Sequence, residues 1–171
     1  PSAKPDRDGR FVLDGVPPGR HWLRAQPPRG WTLASVLLDG RDVTDAAVDI
    51  ESGRSRTGVV LVFTDKLTEL NGTVTDANGT PMTEFTILAF STDQDFWRVD
   101  SRQIATARPD QNGHYQIRGL PPGDYFVAAI DPANPGEWFD PAFLEQRRSE
   151  AQRVSLAEGD VKTTDLRLAA R

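Results

Sequence analysis

The chain has 171 residues, 37% of them apolar, and a formal charge of −5 from 25 acidic against 20 basic side chains. This length makes one large domain or two small ones, and the acidic balance disfavours nucleic acid as a partner, since a phosphate-backbone binder needs a basic face. No run of ~18 apolar residues is available to span a membrane, and the absence of cysteine excludes disulfides, cysteine-held zinc and a thiol nucleophile.

From the N-terminus, Pro1-Ser2-Ala3 has no initiator methionine and reads as a cut end, from which a targeting segment could have been removed. The stretch from Asp8 to Trp22 reads as a strand, a tight turn at Val16-Pro17-Pro18-Gly19 and a second strand. Trp22 and Trp31 read as core or inter-unit residues. Residues 58–63 are apolar on both faces, the pattern of a fully buried strand packed on the second unit or on further sequence. A short linker follows at Thr64-Asp65-Lys66-Leu67, which predicts a fairly stiff connection.

Beyond the linker, short β-rich segments at 68–75, 85–91, 103–108, 113–118, 124–131, 152–157 and 161–168 predict the strands of a sandwich or barrel. Tyr115 and Ile117 alternate with Gln116 and Arg118, so one face of that strand is dry. In Leu120-Pro121-Pro122-Gly123, Pro122 suits the second position of a type II turn and Gly123 the left-handed third. The structural turn residues are thus Gly15, Pro18 and Gly19 in one place and Gly119, Pro122 and Gly123 in the other. Residues 140–148 break the β pattern. Asp140 is a good N-cap, Pro141 is tolerated at the first helical position and the arginines lie near the negative C-terminal end. This short helix reads as an insertion lying across an edge or end of the sandwich.

The phrase of the first unit returns in the second: Gly9, Gly15, Pro17, Pro18, Gly19 and Ala25 recur as Gly113, Gly119, Pro121, Pro122, Gly123 and Ala129, each 104 positions on. A repeat at that spacing is two copies of a domain-sized unit rather than a solenoid. The first copy, 1–66, lacks counterparts of the first three strands of the second, 67–171. Either further N-terminal sequence or another chain is expected to complete it.

Leu70-Asn71-Gly72-Thr73-Val74-Thr75-Asp76, then Asn78-Gly79-Thr80-Pro81, then the segment from Asp110 through Gly119-Leu120-Pro121-Pro122-Gly123 to Tyr125, resembles the carboxypeptidase regulatory-like domain. The resemblance covers nearly all of the second unit and the later half of the first, and 132–148 exceeds the compact form of the family. It implies an all-β fold of tandem Greek-key, prealbumin-like β-sandwiches with one short helical insertion. It further implies a non-catalytic module without cofactor, placed in a bacterial secreted, periplasmic or outer-membrane-associated protein, with structural spacing and protein–protein contact as its function.

Candidate chemistry is sparse. Nucleophilic catalysis needs an oriented base, and His21 and His114, the only histidines, occupy non-equivalent places in the two copies. The histidine and arginine set and C-terminus of hydroxyisourate-type hydrolases on a related sandwich are absent, so no catalytic residue is assigned. Asp6-Arg7-Asp8-Gly9, Asp76-Ala77-Asn78-Gly79 and Asp110-Gln111-Asn112-Gly113 resemble the start of a calcium loop but lack its later bidentate carboxylate, and read as β-turns. Asp93, Asp95 and Asp100 share a loop read as solvated, so no metal is expected. Lys4, Lys66 and Lys162 lie outside apolar strands, against an internal isopeptide bond. The positive lead is aromatic. Phe96, Trp97, Trp138, Phe139 and Phe143 lie beside polar residues, either as an exposed platform for a carbohydrate or a peptide or, for Trp138, Phe139 and Phe143, as the closure of a small core.

Overall fold

The structure, a computed structural model, describes residues 1–132 and 136–168. Residues 133–135 of the expected insertion and the last three residues of the second unit lie outside the described residues. Two compact units form, Pro1–Pro27 with Leu33–Phe63, and Pro28–Thr32 with Thr64–Arg171.

The first unit is lightly built. β1 (Gly19–His21) pairs antiparallel with β4 (Val48–Ile50), and β3 (Arg41–Asp42), β2 (Thr32–Leu38) and β5 (Val59–Thr64) form a sheet in that order. Asp39-Gly40 closes the β2–β3 hairpin with φ of 51° and 80°, the positive values that a two-residue turn requires. Leu33, Val36 and Val48 are the buried hydrophobics of this unit among the described residues. Thr44 joins them because its hydroxyl accepts the Val36 N–H at 2.8 Å, as a buried polar group must be paired.

Two expectations fail in the first unit. Residues 10–14 form no strand, although their counterparts 114–118 do, because a strand needs a ladder partner and the described residues provide none here. β5 is not fully buried either: Val60 is 51% and Val62 39% exposed, and among the described residues the first unit itself supplies no second layer over that face.

The second unit is a sandwich. Its first sheet centres on β6 (Glu69–Thr75), with β9 (His114–Arg118) antiparallel on one side and β12 (Val161–Thr163) and β13 (Leu166–Arg167) parallel to it. The second sheet runs β11 (Gln152–Leu156), β10 (Gly123–Ile130), β7 (Thr86–Ser91), β8 (Ile104–Ala107), all antiparallel. Between the sheets lie Leu70, Val74, Ile87, Ala89, Tyr115, Ile117, Tyr125 and Val127.

The expected strand 161–168 breaks at Thr164-Asp165 because Asp165 enters the ladder with its side chain. Its carboxylate accepts the Thr73 N–H at 2.8 Å and the Thr73 hydroxyl at 2.9 Å. The Thr164 carbonyl is thereby turned inward, where the buried Tyr115 hydroxyl donates to it at 2.5 Å.

The second sheet buries both faces of its inner strand β7, every residue of which is buried. Across its outer face Ile104, Phe90, Phe126 and Arg153 stand in register on successive strands. The helix α1 (Pro141–Arg147) lays Leu144 on this face. The insertion therefore covers a face of the sandwich, not an edge or end as its sequence position suggested. Its cap is as expected: the Asp140 carboxylate accepts the Ala142 N–H at 2.9 Å, with Pro141 in the first turn.

The proline-rich corner also differs in detail. Gly123 and Gly19, with φ of 158° and 133°, open β10 and β1, and the conformation near 80° expected of Gly123 in a type II turn is instead held by Gly119 at 76°. The reason is that the Gly119 N–H donates to the Thr68 carbonyl at 2.9 Å while the Thr68 hydroxyl donates to the Leu120 carbonyl at 2.6 Å. Pro122 lies in a bend between them.

Candidate functional site

The aromatic residues do come together, on the outer face of the second sheet. Trp97 is 5% exposed and its indole N–H donates to the Ser91 carbonyl at 2.7 Å. Its ring meets Phe90 edge-on at 5.6 Å, and Phe90 meets Phe126 at 5.4 Å, within the range of favourable aromatic pairs. Trp138, Phe139 and Phe143 are half-buried against the same cluster, and Phe96 is half-buried in the short 3₁₀ turn Gln94–Phe96. A stacking platform needs an open ring face, and burial withholds one from Trp97. Trp22 and Trp31, read from sequence as core or inter-unit residues, are instead 45% and 44% exposed.

The histidines take structural positions. His21 Nε2 donates to the Pro17 carbonyl at 2.8 Å, and the Tyr125 hydroxyl donates to the Pro121 carbonyl at 2.6 Å. These are equivalent places in the two copies, so His21 ties down the proline corner as Tyr125 does. His114 Nδ1 lies 3.6 Å from Asp110, both exposed.

The three Asp-x-x-Gly segments share one geometry. Oδ1 of Asp6 accepts the N–H groups of Asp8 and Arg10, that of Asp76 those of Asn78 and Thr80, and that of Asp110 those of Asn112 and His114, all at 2.8–2.9 Å. Gly9, Gly79 and Gly113 follow with φ of 77–85°. The carboxylate organises its own loop, and the Thr80 and His114 N–H groups respectively hold Asp76 and Asp110 below the usual carboxylate range. Asp93 likewise accepts the Asp95 N–H at 3.0 Å, and Asp100 has a φ of 60°. Among the described residues no group of three His, Asp or Glu side chains gathers to hold a metal. Lys66 and Lys162 face Glu158 at 3.7 Å and Asp160 at 3.5 Å on the surface.

Sequence reading misses two features. One is the outward Val60 and Val62 of β5, where an apolar strand suggests burial. The other is a shallow groove of about 410 Å³ lined by Phe126, Glu145, Arg148, Ser149, Ala151 and Arg153; its arginines are legible as residues, but the pairing of β10 with β11 brings Arg153, and the seating of α1 brings Arg148, to one phenyl ring.

No helix among the described residues is long and apolar enough to cross a membrane. No curated protein matches the sequence. Among solved structures, a streptococcal ancillary pilin aligns with 93% of this chain and 49% of its own at 14% identity and a TM-score of 0.43. The major pilin subunit of Bacillus cereus aligns with 59% of this chain and 28% of its own at 17% identity and 0.39. A candidate carbohydrate-binding protein of Pseudomonas aeruginosa aligns with 59% and 88% at 14% identity and 0.38. These likenesses are too distant to carry function. The carboxypeptidase regulatory-like domain profile matches residues 69–169, the span occupied by the two-sheet sandwich and its buried Tyr115 and Tyr125, and the chain belongs to that family.

Proposed function

We propose that the chain is a non-catalytic structural and protein-contact module of a larger bacterial secreted or envelope-associated protein, and that its first unit, 1–66, is the later half of a second sandwich. The exposed β5 face carries this reading. Val60 and Val62 stand open on a strand whose sequence is apolar on both sides, and residues 10–14 repeat the β9 phrase without a strand to pair with. In the second unit the same phrase is paired by β6. Strands equivalent to β6, β7 and β8 would satisfy both needs of the first unit, whether they belong to the same polypeptide or to a partner.

The test is binding of 1-anilinonaphthalene-8-sulfonate. The 171-residue chain is expected to bind the dye, and Val60→Thr with Val62→Thr, a change that keeps β-branching, to reduce the signal severalfold without altering the near-UV spectrum of the buried Trp97. A chain that binds no dye contradicts an open apolar face.

A second reading, an accessory module for carbohydrate or peptide, draws support from Trp138 and Phe139, half-buried with ring centroids 6.3 Å apart. Trp97 belongs to the buried cluster against which that pair and Phe143 pack. It requires tryptophan fluorescence to shift on adding a polysaccharide.

A further inference from the structure

The groove beside α1 combines three features that sequence does not connect. Phe126 forms its floor, almost wholly buried on the outer face of β10. The guanidinium of Arg153, its register partner on β11, lies 5.1 Å from the ring centroid, and that of Arg148, at the end of α1, lies 5.8 Å from the same centroid. Stacking on one ring holds both cations in place without consuming their hydrogen-bond donors.

The charges around them do not balance. Glu145 Oε1 accepts from Arg148 at 3.3 Å, and the Gln94 amide donates to its other oxygen at 3.0 Å. Asp124, two residues before Phe126 on the same face, lies outside the groove's lining and keeps its charge while accepting from the Ser155 hydroxyl. Arg153 has no carboxylate partner among the described residues and is exposed. The residues that line the groove are thus two arginines against one glutamate, with Ser149 among them, in a chain whose net charge is −5.

The groove also adjoins a free sheet edge. β11 is the end strand of its sheet and, among the described residues, pairs only with β10. An unpaired edge presents backbone donors and acceptors to an incoming strand, and addition of an extended peptide to such an edge is a recurring recognition mode.

We propose that an extended acidic segment of a partner protein adds to the free edge of β11 and places a carboxylate between Arg148 and Arg153 in the groove. A carboxylate suits the forked donors of arginine, and backbone pairing along β11 favours a polypeptide over a sugar acid. The proposal deepens the contact-module reading by naming the partner's chemistry and rests on it for the existence of a partner. It is independent of the β5 face, whose dye binding would be unchanged if the groove proved inert.

The experiment is calorimetric titration of the 171-residue chain with a blocked octapeptide alternating glutamate and valine, with amide exchange read on the same samples. The glutamine-for-glutamate peptide and digalacturonate serve as controls. Saturable binding is expected, weakened about tenfold or more by Arg153→Gln or by the glutamine peptide, as for loss of a charge-assisted hydrogen bond. It should weaken further in high salt, and the β11 amides should gain protection. Both arginines are exposed, so an unchanged near-UV signal from Trp97 certifies the variants; the peptide and salt comparisons need no variant. The proposal is overturned by absence of saturable binding, by binding indifferent to Arg153→Gln and Arg148→Gln, or by digalacturonate binding where the peptide does not. If Arg153 only guards the edge against self-association, Arg153→Gln self-associates while the parent chain ignores the peptide, and that too overturns it.

Discussion

Gly72 shows how tightly one residue is fixed. A Cβ placed there would lie 2.0 Å from the Thr164 carbonyl oxygen and 2.7 Å from the Tyr115 ring, so β6 can pass under the Thr164-Asp165 kink only with glycine at that position. Gly72→Ala is expected to destabilise the second unit by about 3 kcal/mol, the upper range for overpacking, in chemical denaturation followed by tryptophan fluorescence. Tyr115→Phe keeps the packing but leaves the Thr164 carbonyl without its donor, at about 1–2 kcal/mol. Burial, with the Asp165 charge adding to it, raises the Tyr115 pKa. The stability from its neutral form is therefore complete below the ordinary tyrosine pKa of about 10 and is lost as pH rises toward the folded value, and Tyr115→Phe should flatten that alkaline decline. Asp76 and Asp110 act in the opposite direction. Their folded pKa values are lowered by backbone N–H groups, so their contribution is present above the ordinary carboxylate pKa and disappears as pH falls through the lowered one. Asp76→Asn with Asp110→Asn should make stability less dependent on pH between about 5 and 2.

At the scale of elements, α1 acts as a cover for the second sheet. Leu144 is fully buried against Phe90, Phe126 and their neighbours. Leu144→Ala should cost about 3 kcal/mol, the usual loss for a buried leucine, and should weaken the near-UV signals of Trp97 and Trp138 together; a loss below about 1 kcal/mol would mean that the helix lies loosely on the sheet. The helix, six of the seven expected β segments and the Asp-Gly loops of the second unit were legible in sequence because each is governed by local chemistry: alternation, an N-cap, a positive φ. The placement of α1 was not, because the choice between covering a face and an edge depends on both sides of β7 being apolar and on what lies opposite. The burial of Trp97 is not legible for the same reason. Its neighbours in sequence are polar, whereas its neighbours in space are Phe90 and the Ser91 carbonyl. Asp165 could have been found only as a polar residue interrupting the alternation of the last strand, a weak signal without its partner Thr73.

For the whole molecule, the two units differ in how much they bury. The second has a core between its sheets and another beneath α1, whereas the first buries Leu33, Val36 and Val48 among the described residues. Local stability follows buried apolar contact, so amides of β6, β7 and β10 should resist exchange far longer than those of β2 and β5. The repeated phrase explains the contrast. In 114–118 it is one strand of a paired sheet, while in 10–14 the same chemistry has no ladder to join among the described residues. The most direct measurement is hydrogen–deuterium exchange on the 171-residue chain with a second copy of residues 67–109 fused ahead of Pro1, supplying the sequence of β6, β7 and β8 to the first unit. The half-sandwich account predicts that amides 10–14 and β5, fast in the parent chain, become protected in the fusion and that dye binding at Val60 and Val62 falls. Unchanged exchange at both places, with the second unit still folded, would contradict it.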